Sequence, residues 1–168
     1  LENGEIVWES AGLTMNPIPS PVSADGMVFA TSGFQGNNLK AIRLAGARGD
    51  ITGTPSIVWA LDRDTPYVPS PILYDGILYI LKTNSGILSA FDAKTGKPHY
   101  QGQRLPGVPN VFSSPAGAAG GGFFSGRGGK DLFILNSPTF EGLAKKVLDD
   151  GVVVVPALVG KGNFLSGD

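Results

Sequence analysis

The sequence contains no cysteine, which excludes disulfide bonds, thiolate nucleophiles and cysteine-ligated metal sites. It also has little charge. Only 16% of its residues are charged, against roughly 25% in an average soluble domain, and the formal net charge is −1. No basic stripe of the kind that nucleic-acid binding requires is present. No apolar run reaches the roughly 18 residues of a membrane-spanning helix. We therefore expect neither a nucleic-acid partner nor a membrane span.

Glycine and proline are abundant instead, with 25 and 13 copies in 168 residues. They separate short runs rich in Val, Ile, Leu, Phe and Tyr, and 42% of the residues are hydrophobic. This pattern is typical of many short strands joined by tight turns rather than of disorder. Only residues 140–149 have a composition compatible with a helix, and we expect no more than one turn there. The sequence therefore predicts an all-β fold.

One unit recurs along the chain: a proline-containing lead-in, a short strand, a glycine turn and a second strand. Its spacing is 50, 44 and 41 residues between the aligned prolines, a period typical of β-propellers. The copies span residues 18–30, 68–80, 112–124 and 155–165, and the aligned prolines are Pro21, Pro71, Pro115 and Pro156.

Two of these units contain Asp-Gly pairs, Asp25-Gly26 and Asp75-Gly76, which favour a two-residue type I′ hairpin. A third strand follows each hairpin, and a fourth closes the unit, which is the propeller arrangement. The expected third strands are 39–44, 87–92 and 131–135. The expected closing strands include 56–60 and 145–148, and 5–9 closes a unit whose start is absent.

We therefore predict that residues 1–168 form a single partial β-propeller of about three to four four-stranded antiparallel blades. Because such an arc does not close a ring, it is either the C-terminal part of a longer protein or is completed by other subunits. The predicted blades are 1–10 (a closing strand alone), 18–60, 68–105, 112–148 and the partial blade 154–168.

The segment 86–97 contains an Ala-x-Asp-x-x-Thr-Gly-Lys turn, with Asp92, Thr95 and Gly96 at its defining positions. In this it resembles the PQQ-like (pyrroloquinoline-quinone-like) β-propeller repeat family, which includes quinoprotein dehydrogenases and BamB-like proteins. Residues 114–141 are similar to the family's penultimate blade and residues 148–160 to the start of its last. The resemblance implies the C-terminal part of a ring of seven or eight blades and a bacterial, extracytoplasmic protein of the periplasm or cell envelope. Gly120, Gly121 and Gly122 depart from the family pattern.

Aromatic residues mark the closing strands. Trp8 and Trp59 lie in two of them, and we predict that both pack between blades; stacking on a quinone is the less favoured alternative. Tyr100 stands where the family has a Trp after the turn. We assign Trp8, Trp59, Asp92, Thr95 and Gly96 as structural repeat positions.

Residues that could carry chemistry are sparse. The candidate carboxylates all lie in turns, where Asp is usually a local cap. His99 is the only histidine, so a zinc site is not expected. The glycine-rich residues 126–130 lack the ending of a phosphate loop and favour a hairpin. We assign no catalytic, cofactor-binding or metal-binding residue and expect no cofactor. The candidate carboxylates are Asp62, Asp64, Asp75 and Asp92.

These observations favour a non-catalytic scaffold that binds protein partners, or the remaining blades of its own chain, through inter-strand loops. The loops in question are 33–38, 45–55 and 102–111, and Phe34, Tyr67 and Tyr100 are the possible contact points. Enzyme activity is left open, with two alternatives: a fragment of a PQQ-dependent dehydrogenase, and a sensor propeller fused to another domain.

Overall fold

The computed structural model describes residues 3–82, 86–104, 111–118, 121–125, 132–136 and 153–156. The described part is all-β and contains no helix. None of it could therefore cross a membrane as a helix. The strands are β1 (Trp8–Glu9), β2 (Val22–Ala24), β3 (Met27–Ser32), β4 (Asn38–Arg43), β5 (Gly49–Asp50), β6 (Ile57–Leu61), β7 (Ile72–Tyr74), β8 (Ile77–Lys82), β9 (Ile87–Asp92), β10 (Pro98–Arg104), β11 (Ala116–Ala118), β12 (Gly121–Ser125), β13 (Leu132–Asn136) and β14 (Val153–Pro156).

Three four-stranded sheets follow one another along the chain. The first has the order β2-β3-β4-β6 and the second the order β7-β8-β9-β10, and both are antiparallel throughout. The third has the order β11-β12-β13-β14. The first strand of the second sheet, β7, contacts both β2 and β11. The sheets therefore lie side by side through their first strands, as blades do around a propeller axis.

The Asp-Gly pairs form the predicted hairpins between the first two strands of each sheet. Asp25 and Gly26 have φ angles of 51° and 73°, and Asp75 and Gly76 have φ angles of 50° and 71°. Two consecutive positive φ angles are what a type I′ turn requires, and Asp and Gly tolerate them better than most residues. The hairpin prediction is confirmed at both sites.

The third sheet departs from the predicted antiparallel pattern at its last strand. β14 pairs in parallel with β13, with Phe133 opposite Val153 and Asn136 opposite Pro156. A parallel pair needs a long crossover connection; residues 137–152, which separate the two strands in the sequence, lie outside the described residues. Residues 153–156 therefore belong to the third sheet, although the sequence assigned Pro156 to a fourth unit. The predicted closing strand 145–148, the helix-compatible 140–149 and the loop 126–130 lie outside the described residues.

The glycines that break the family pattern lie partly inside a strand. Gly121 and Gly122 are paired in β12, opposite Ala118 and Gly117 on β11. Gly122 also pairs with Leu135 of β13. The strand ladder therefore runs through these glycines, while Gly120 lies outside the described residues.

The main core lies between the first and second sheets. Phe29, Leu39 and Ala41 of the first sheet pack with Leu78 and Ile80 of the second, and each of them is at most 1% exposed. Alternate residues of β3, β4 and β8 supply this core because side chains in a strand point to opposite faces in turn. The two sheets are thus joined by a continuous apolar layer.

Serines at the lead-in to each sheet connect neighbouring sheets by the same hydrogen bond. The Ser20 N–H donates to Ser70 Oγ at 2.9 Å, and the Ser70 N–H donates to Ser114 Oγ, also at 2.9 Å. The three serines occupy equivalent places, each directly before a proline of the repeat. We call this chain of bonds the serine ladder.

Residues 5–9 differ from the predicted strand in their pairing. Only Trp8 and Glu9 form a strand, β1, which runs parallel to β5 in the connection between β4 and β6. Trp8 packs on a small apolar cluster of Ile42, Ala47 and Ile51. β1 is thus held against the first sheet, and within the described residues it is not part of a four-stranded sheet.

Candidate functional site

A cleft of about 500 Å³ opens between the first and second sheets. It lies at the end of the sheets that carries the two Asp-Gly hairpins, which we call the hairpin end. Met27, Phe29, Leu73 and Ile77 form an apolar floor. A volume of roughly 300 to 1,000 Å³ is usual for small-molecule and cofactor sites. The cleft is therefore the candidate functional site of the described part.

The charged rim of the cleft comes from turns at the same end. Asp25 and Asp75 stand on the hairpins, and Asp92, Lys94 and His99 stand on or beside the turn between β9 and β10. In an antiparallel sheet successive turns alternate between the two ends of the strands. The β2–β3, β7–β8 and β9–β10 turns therefore lie at the same end. The sequence placed these carboxylates in turns, but the convergence of three turns depends on how the sheets pack.

The β9–β10 turn is held by the side chain of Asp92. Its Oδ1 accepts hydrogen bonds from the Thr95 N–H at 2.8 Å and from the Thr95 hydroxyl at 2.7 Å. The Gly96 N–H donates to the Asp92 carbonyl at 2.9 Å. Hydrogen bonds to a carboxylate favour its charged form. Those from Thr95 therefore lower the pKa of Asp92, with smaller contributions from the Lys94 N–H and the charge of His99.

Trp59 connects this turn to the first sheet. Its Nε1–H donates to the Ala93 carbonyl at 2.9 Å. Its ring lies 5.9 Å from that of Phe29 and 6.0 Å from that of Phe91. Gly96 lies against the indole, where a Cβ on Gly96 would come within 2.6 Å of Trp59 Cδ2. One wall of the cleft is therefore fixed to the other by an aromatic side chain.

The electrostatics of the rim are those of a partly neutralised acidic surface. Lys94 Nζ lies 3.7 Å from Asp25 Oδ2 across the cleft, and both side chains are about 70% exposed. Exposed pairs of this kind contribute little, on the order of 0 to 1 kcal/mol. Within the described residues no cluster of three or more His, Asp or Glu side chains could hold a metal ion. The arrangement suits ligand binding through apolar contact and charge.

The opposite end of the sheets carries two of the predicted contact residues. Phe34, in the β3–β4 loop, stacks on Tyr67, in the connection between β6 and β7, with ring centroids 4.8 Å apart and planes 26° apart. Asp64 forms an ion pair with Lys82 at 2.7 Å nearby. The structure thus brings Phe34 and Tyr67 together into one half-buried aromatic pair.

Tyr100 lies elsewhere and differs from the expected exposed contact. It pairs with Ala90 across the second sheet, as Trp59 pairs with Ala41 across the first. Its hydroxyl is buried and has no hydrogen-bond partner within the described residues. Burial is the main reason that the pKa of this phenol is raised far above its usual value, and Tyr79 adds to the effect. Tyr100 thus occupies the position of Trp59 in the second sheet.

Sequence reasoning missed the cleft floor and the serine ladder. The ladder had a visible signal, because Pro19-Ser20-Pro21 and Pro69-Ser70-Pro71 repeat the same tripeptide. The floor had none, since Met27, Leu73 and Ile77 are ordinary strand residues whose shared cleft depends on the packing of two sheets.

No protein-family model matches the sequence, and no curated protein is significantly similar to it. Solved structures do match. Quinohemoprotein alcohol dehydrogenase from Comamonas testosteroni is 20% identical with a TM-score of 0.53, over 71% of this chain and 18% of that one. The computationally designed Ika8 protein is 10% identical with a TM-score of 0.50, over 73% of this chain and 34% of that one. BamB from Moraxella catarrhalis is 19% identical with a TM-score of 0.47, over 78% of this chain and 37% of that one.

These likenesses concern the fold. The chain shares the β-propeller blade architecture of the quinohemoprotein dehydrogenase, so the predicted fold is confirmed. The predicted likeness to PQQ-like repeats is confirmed as a likeness of fold. The chain spans between 18% and 37% of the length of the structures that it matches.

Proposed function

We propose that this chain is a non-catalytic binding module, a part of a β-propeller that holds a protein partner on its loops outside the cytoplasm. The observation that carries the proposal is the fixed arrangement of the first two sheets. The apolar core and the Trp59–Ala93 hydrogen bond join them, so the loops at both ends project from a rigid body. Binding residues are commonly found on loops that a rigid scaffold positions.

Two of the four candidate carboxylates, Asp64 and Asp92, favour binding over catalysis. Asp92 is occupied by its hydrogen bonds to Thr95, and Asp64 is paired with Lys82. A general acid or base needs a carboxyl group free to exchange a proton near neutral pH. The lowered pKa of Asp92 moves it away from that range.

The aromatic pair Phe34–Tyr67 is the proposed contact surface for a protein partner. Aromatic side chains are enriched at interfaces, because they bury a large area at low conformational cost. Phe34 and Tyr67 are half-buried and stacked, so little side-chain freedom is lost when a partner covers them. This surface lies at the end of the sheets opposite the cleft.

Further blades are the other proposed partner, supplied by the same chain or by another subunit. The tripeptide Ile-Val-Trp occurs twice, at residues 6–8 and 57–59. In the second copy Ile57 and Val58 are half-buried within a four-stranded sheet. In the first copy Ile6 is 81% exposed and Val7 is 51% exposed. We infer that residues 1–10 supply the closing strand of a blade whose other strands come from elsewhere. This is the first of the blades into which we propose that residues 1–168 are divided.

A photo-crosslinking amino acid at position 34 tests the binding proposal in a cell-envelope extract. We expect crosslinks to a protein partner that disappear when Tyr67 is replaced by Ala and that do not form from position 60, where Ala60 is exposed on the edge strand β6 and outside the loops. Crosslinks that are unaffected by Tyr67→Ala would contradict the proposed surface.

A second measurement addresses the dehydrogenase alternative. PQQ and Ca²⁺ are added to the purified protein, and bound-quinone absorbance and dye-linked alcohol oxidation are recorded. A non-catalytic module gives neither signal. Stoichiometric quinone binding with turnover would replace the present proposal by that of a quinoprotein enzyme.

A further inference from the structure

The cleft at the hairpin end combines an apolar floor with a predominantly acidic rim. Leu73 and Ile77 of its floor are half-buried and so remain available to a ligand, whereas Phe29 below them is 1% exposed. An apolar side chain that entered the cleft would cover Leu73 and Ile77. Removing this apolar surface from water favours binding.

The cleft is preformed rather than made by the ligand. Its two walls belong to different sheets, and the Trp59 side chain bridges those sheets through its hydrogen bond to Ala93. The Asp92–Thr95 bonds fix the turn that carries one side of the rim. Binding to such a site costs little reorganisation of the protein, so less of the contact free energy is offset by ordering of the site.

The rim selects the charge of the ligand. Asp25, Asp75 and Asp92 contribute three carboxylates, and Lys94 supplies the compensating ammonium, with His99 at the edge. Among the described residues Lys94 forms an ion pair with Asp25 alone, at 3.7 Å and largely in solvent. A guanidinium or ammonium brought in by a ligand can therefore displace Lys94 at low cost and approach Asp25 and Asp75. An anionic ligand would meet an excess of negative charge.

We propose that the cleft binds an extended peptide segment of a partner protein in which an apolar side chain stands next to an arginine or a lysine. The apolar side chain lies on Leu73 and Ile77, and the basic group pairs with Asp25 and Asp75. This inference rests on the proposed binding function and adds a second contact surface, at the other end of the sheets from Phe34 and Tyr67.

Fluorescence anisotropy with a dye-labelled peptide, Gly-Leu-Arg-Leu-Gly amide, tests this on the full chain. The matched probes carry Gln or Glu in place of Arg. We expect the Arg peptide to bind about three- to tenfold more tightly than the Gln peptide, as charge-assisted hydrogen bonds do. The Glu peptide should bind most weakly. The difference between Arg and Gln should shrink as salt rises, because salt screens exposed charges.

Three variants locate the site. Asp75→Asn should reduce the preference for Arg over Gln, and Ile77→Ala should weaken both peptides by a similar factor. Asp62→Asn removes an exposed carboxylate outside the cleft and should leave both affinities unchanged. Circular dichroism melts show whether each variant folds, and Asp75→Asn is conservative enough to keep the hairpin because Asn also tolerates a positive φ.

Equal affinity for the Arg and Gln peptides, or an Asp75→Asn variant that behaves like Asp62→Asn, would overturn the assignment. That failure is distinguishable from failure of the proposed function. The crosslinks from position 34 report on the opposite end of the sheets and would persist if only the cleft assignment were wrong.

Discussion

At the scale of single residues, the contact between Gly96 and Trp59 explains why this turn position is glycine. Gly96 and Gly76 both have a φ of 71°, so both strain a side chain equally. They differ in space, because a Cβ at Gly96 would lie 2.6 Å from the Trp59 ring and a Cβ at Gly76 would meet nothing within 4 Å. Substitutions at these two glycines therefore separate the effect of backbone strain from that of the contact with Trp59.

We predict that Gly76→Ala lowers the free energy of unfolding by about 1–2 kcal/mol, the cost of a left-handed L-residue. Gly96→Ala should cost about 1–3 kcal/mol more, because the added methyl overpacks the Trp59 contact. Urea unfolding of both variants measures the difference. In a protein that already carries Trp59→Ala, adding Gly96→Ala should cost no more than Gly76→Ala does in the native protein. If Gly96→Ala kept its full extra cost in that background, the indole would not be the cause.

Tyr100 provides a second test at this scale. Its buried hydroxyl has no hydrogen-bond partner within the described residues, and such a group costs roughly 1–3 kcal/mol. We therefore predict that Tyr100→Phe leaves the stability at neutral pH unchanged or raises it. Tyr100→Ala, which also removes the ring, should be clearly destabilising. Denaturant midpoints of the two variants separate the role of the ring from that of the hydroxyl.

The same residue predicts a pH dependence on the alkaline side. Burial raises the pKa of Tyr100 in the folded state, whereas in the unfolded chain the phenol ionises near its usual value of about 10. Above that pH the unfolded state loses protons that the folded state keeps, so stability falls. Chemical unfolding between pH 8 and pH 11 should show this loss in the native protein and a smaller one in Tyr100→Phe. Identical profiles would refute it.

At the scale of elements, the β9–β10 turn depends on one carboxylate. Because Asp92 has a lowered pKa, its contribution to stability is present above the unfolded value of about 3.9 and is lost as the pH falls through the folded value. We predict that Asp92→Ala lowers the free energy of unfolding by about 1 kcal/mol, as loss of a typical side-chain hydrogen bond does. Asp92→Asn should cost less and should reduce the acid dependence.

Unfolding followed between pH 2 and pH 7 checks this prediction. The matched control is Asp62→Asn, at an exposed residue of the β6–β7 connection. If Asp62→Asn reduced the acid dependence as much as Asp92→Asn did, the turn hydrogen bonds would not be its source.

The elements also show where sequence reasoning succeeded and where it could not. The two Asp-Gly hairpins were predicted because their φ requirement is local and few residues satisfy it. The third sheet was predicted less well, because the strand that pairs with the valine-rich segment 153–156 is not its neighbour in the sequence. Its parallel pairing with β13 depends on a crossover connection, and such pairings leave no short-range pattern.

At the scale of the whole molecule, the serine ladder links three successive sheets by one repeated hydrogen bond. Ser70 takes part twice, since its Oγ accepts from the Ser20 N–H and its own N–H donates to Ser114 Oγ. We predict that Ser70→Ala lowers the free energy of unfolding by about 0.5–1.5 kcal/mol. Ser23→Ala, at an exposed serine of β2, should have little effect.

Amide hydrogen exchange measures directly whether the hydrogen bonds of the serine ladder form in solution. In Ser70→Ala the Ser20 N–H loses its acceptor and should exchange faster, while amides within β3 and β4 keep their protection. If the Ser20 amide exchanged at the same rate in both proteins, the ladder would not join the first two sheets in solution.

The sequence by itself determined the all-β class, the repeat period and the hairpin positions, because proline, glycine and Asp-Gly act through local backbone constraints. It also marked Asp92, Thr95 and Gly96 as a turn. Tertiary structure alone decided that Trp59 donates a hydrogen bond to Ala93, that Phe34 meets Tyr67, that the Tyr100 hydroxyl is enclosed and that three turns surround one cleft. Each of these contacts joins residues that are distant along the chain, and only the packing of one sheet on the next determines which of them meet.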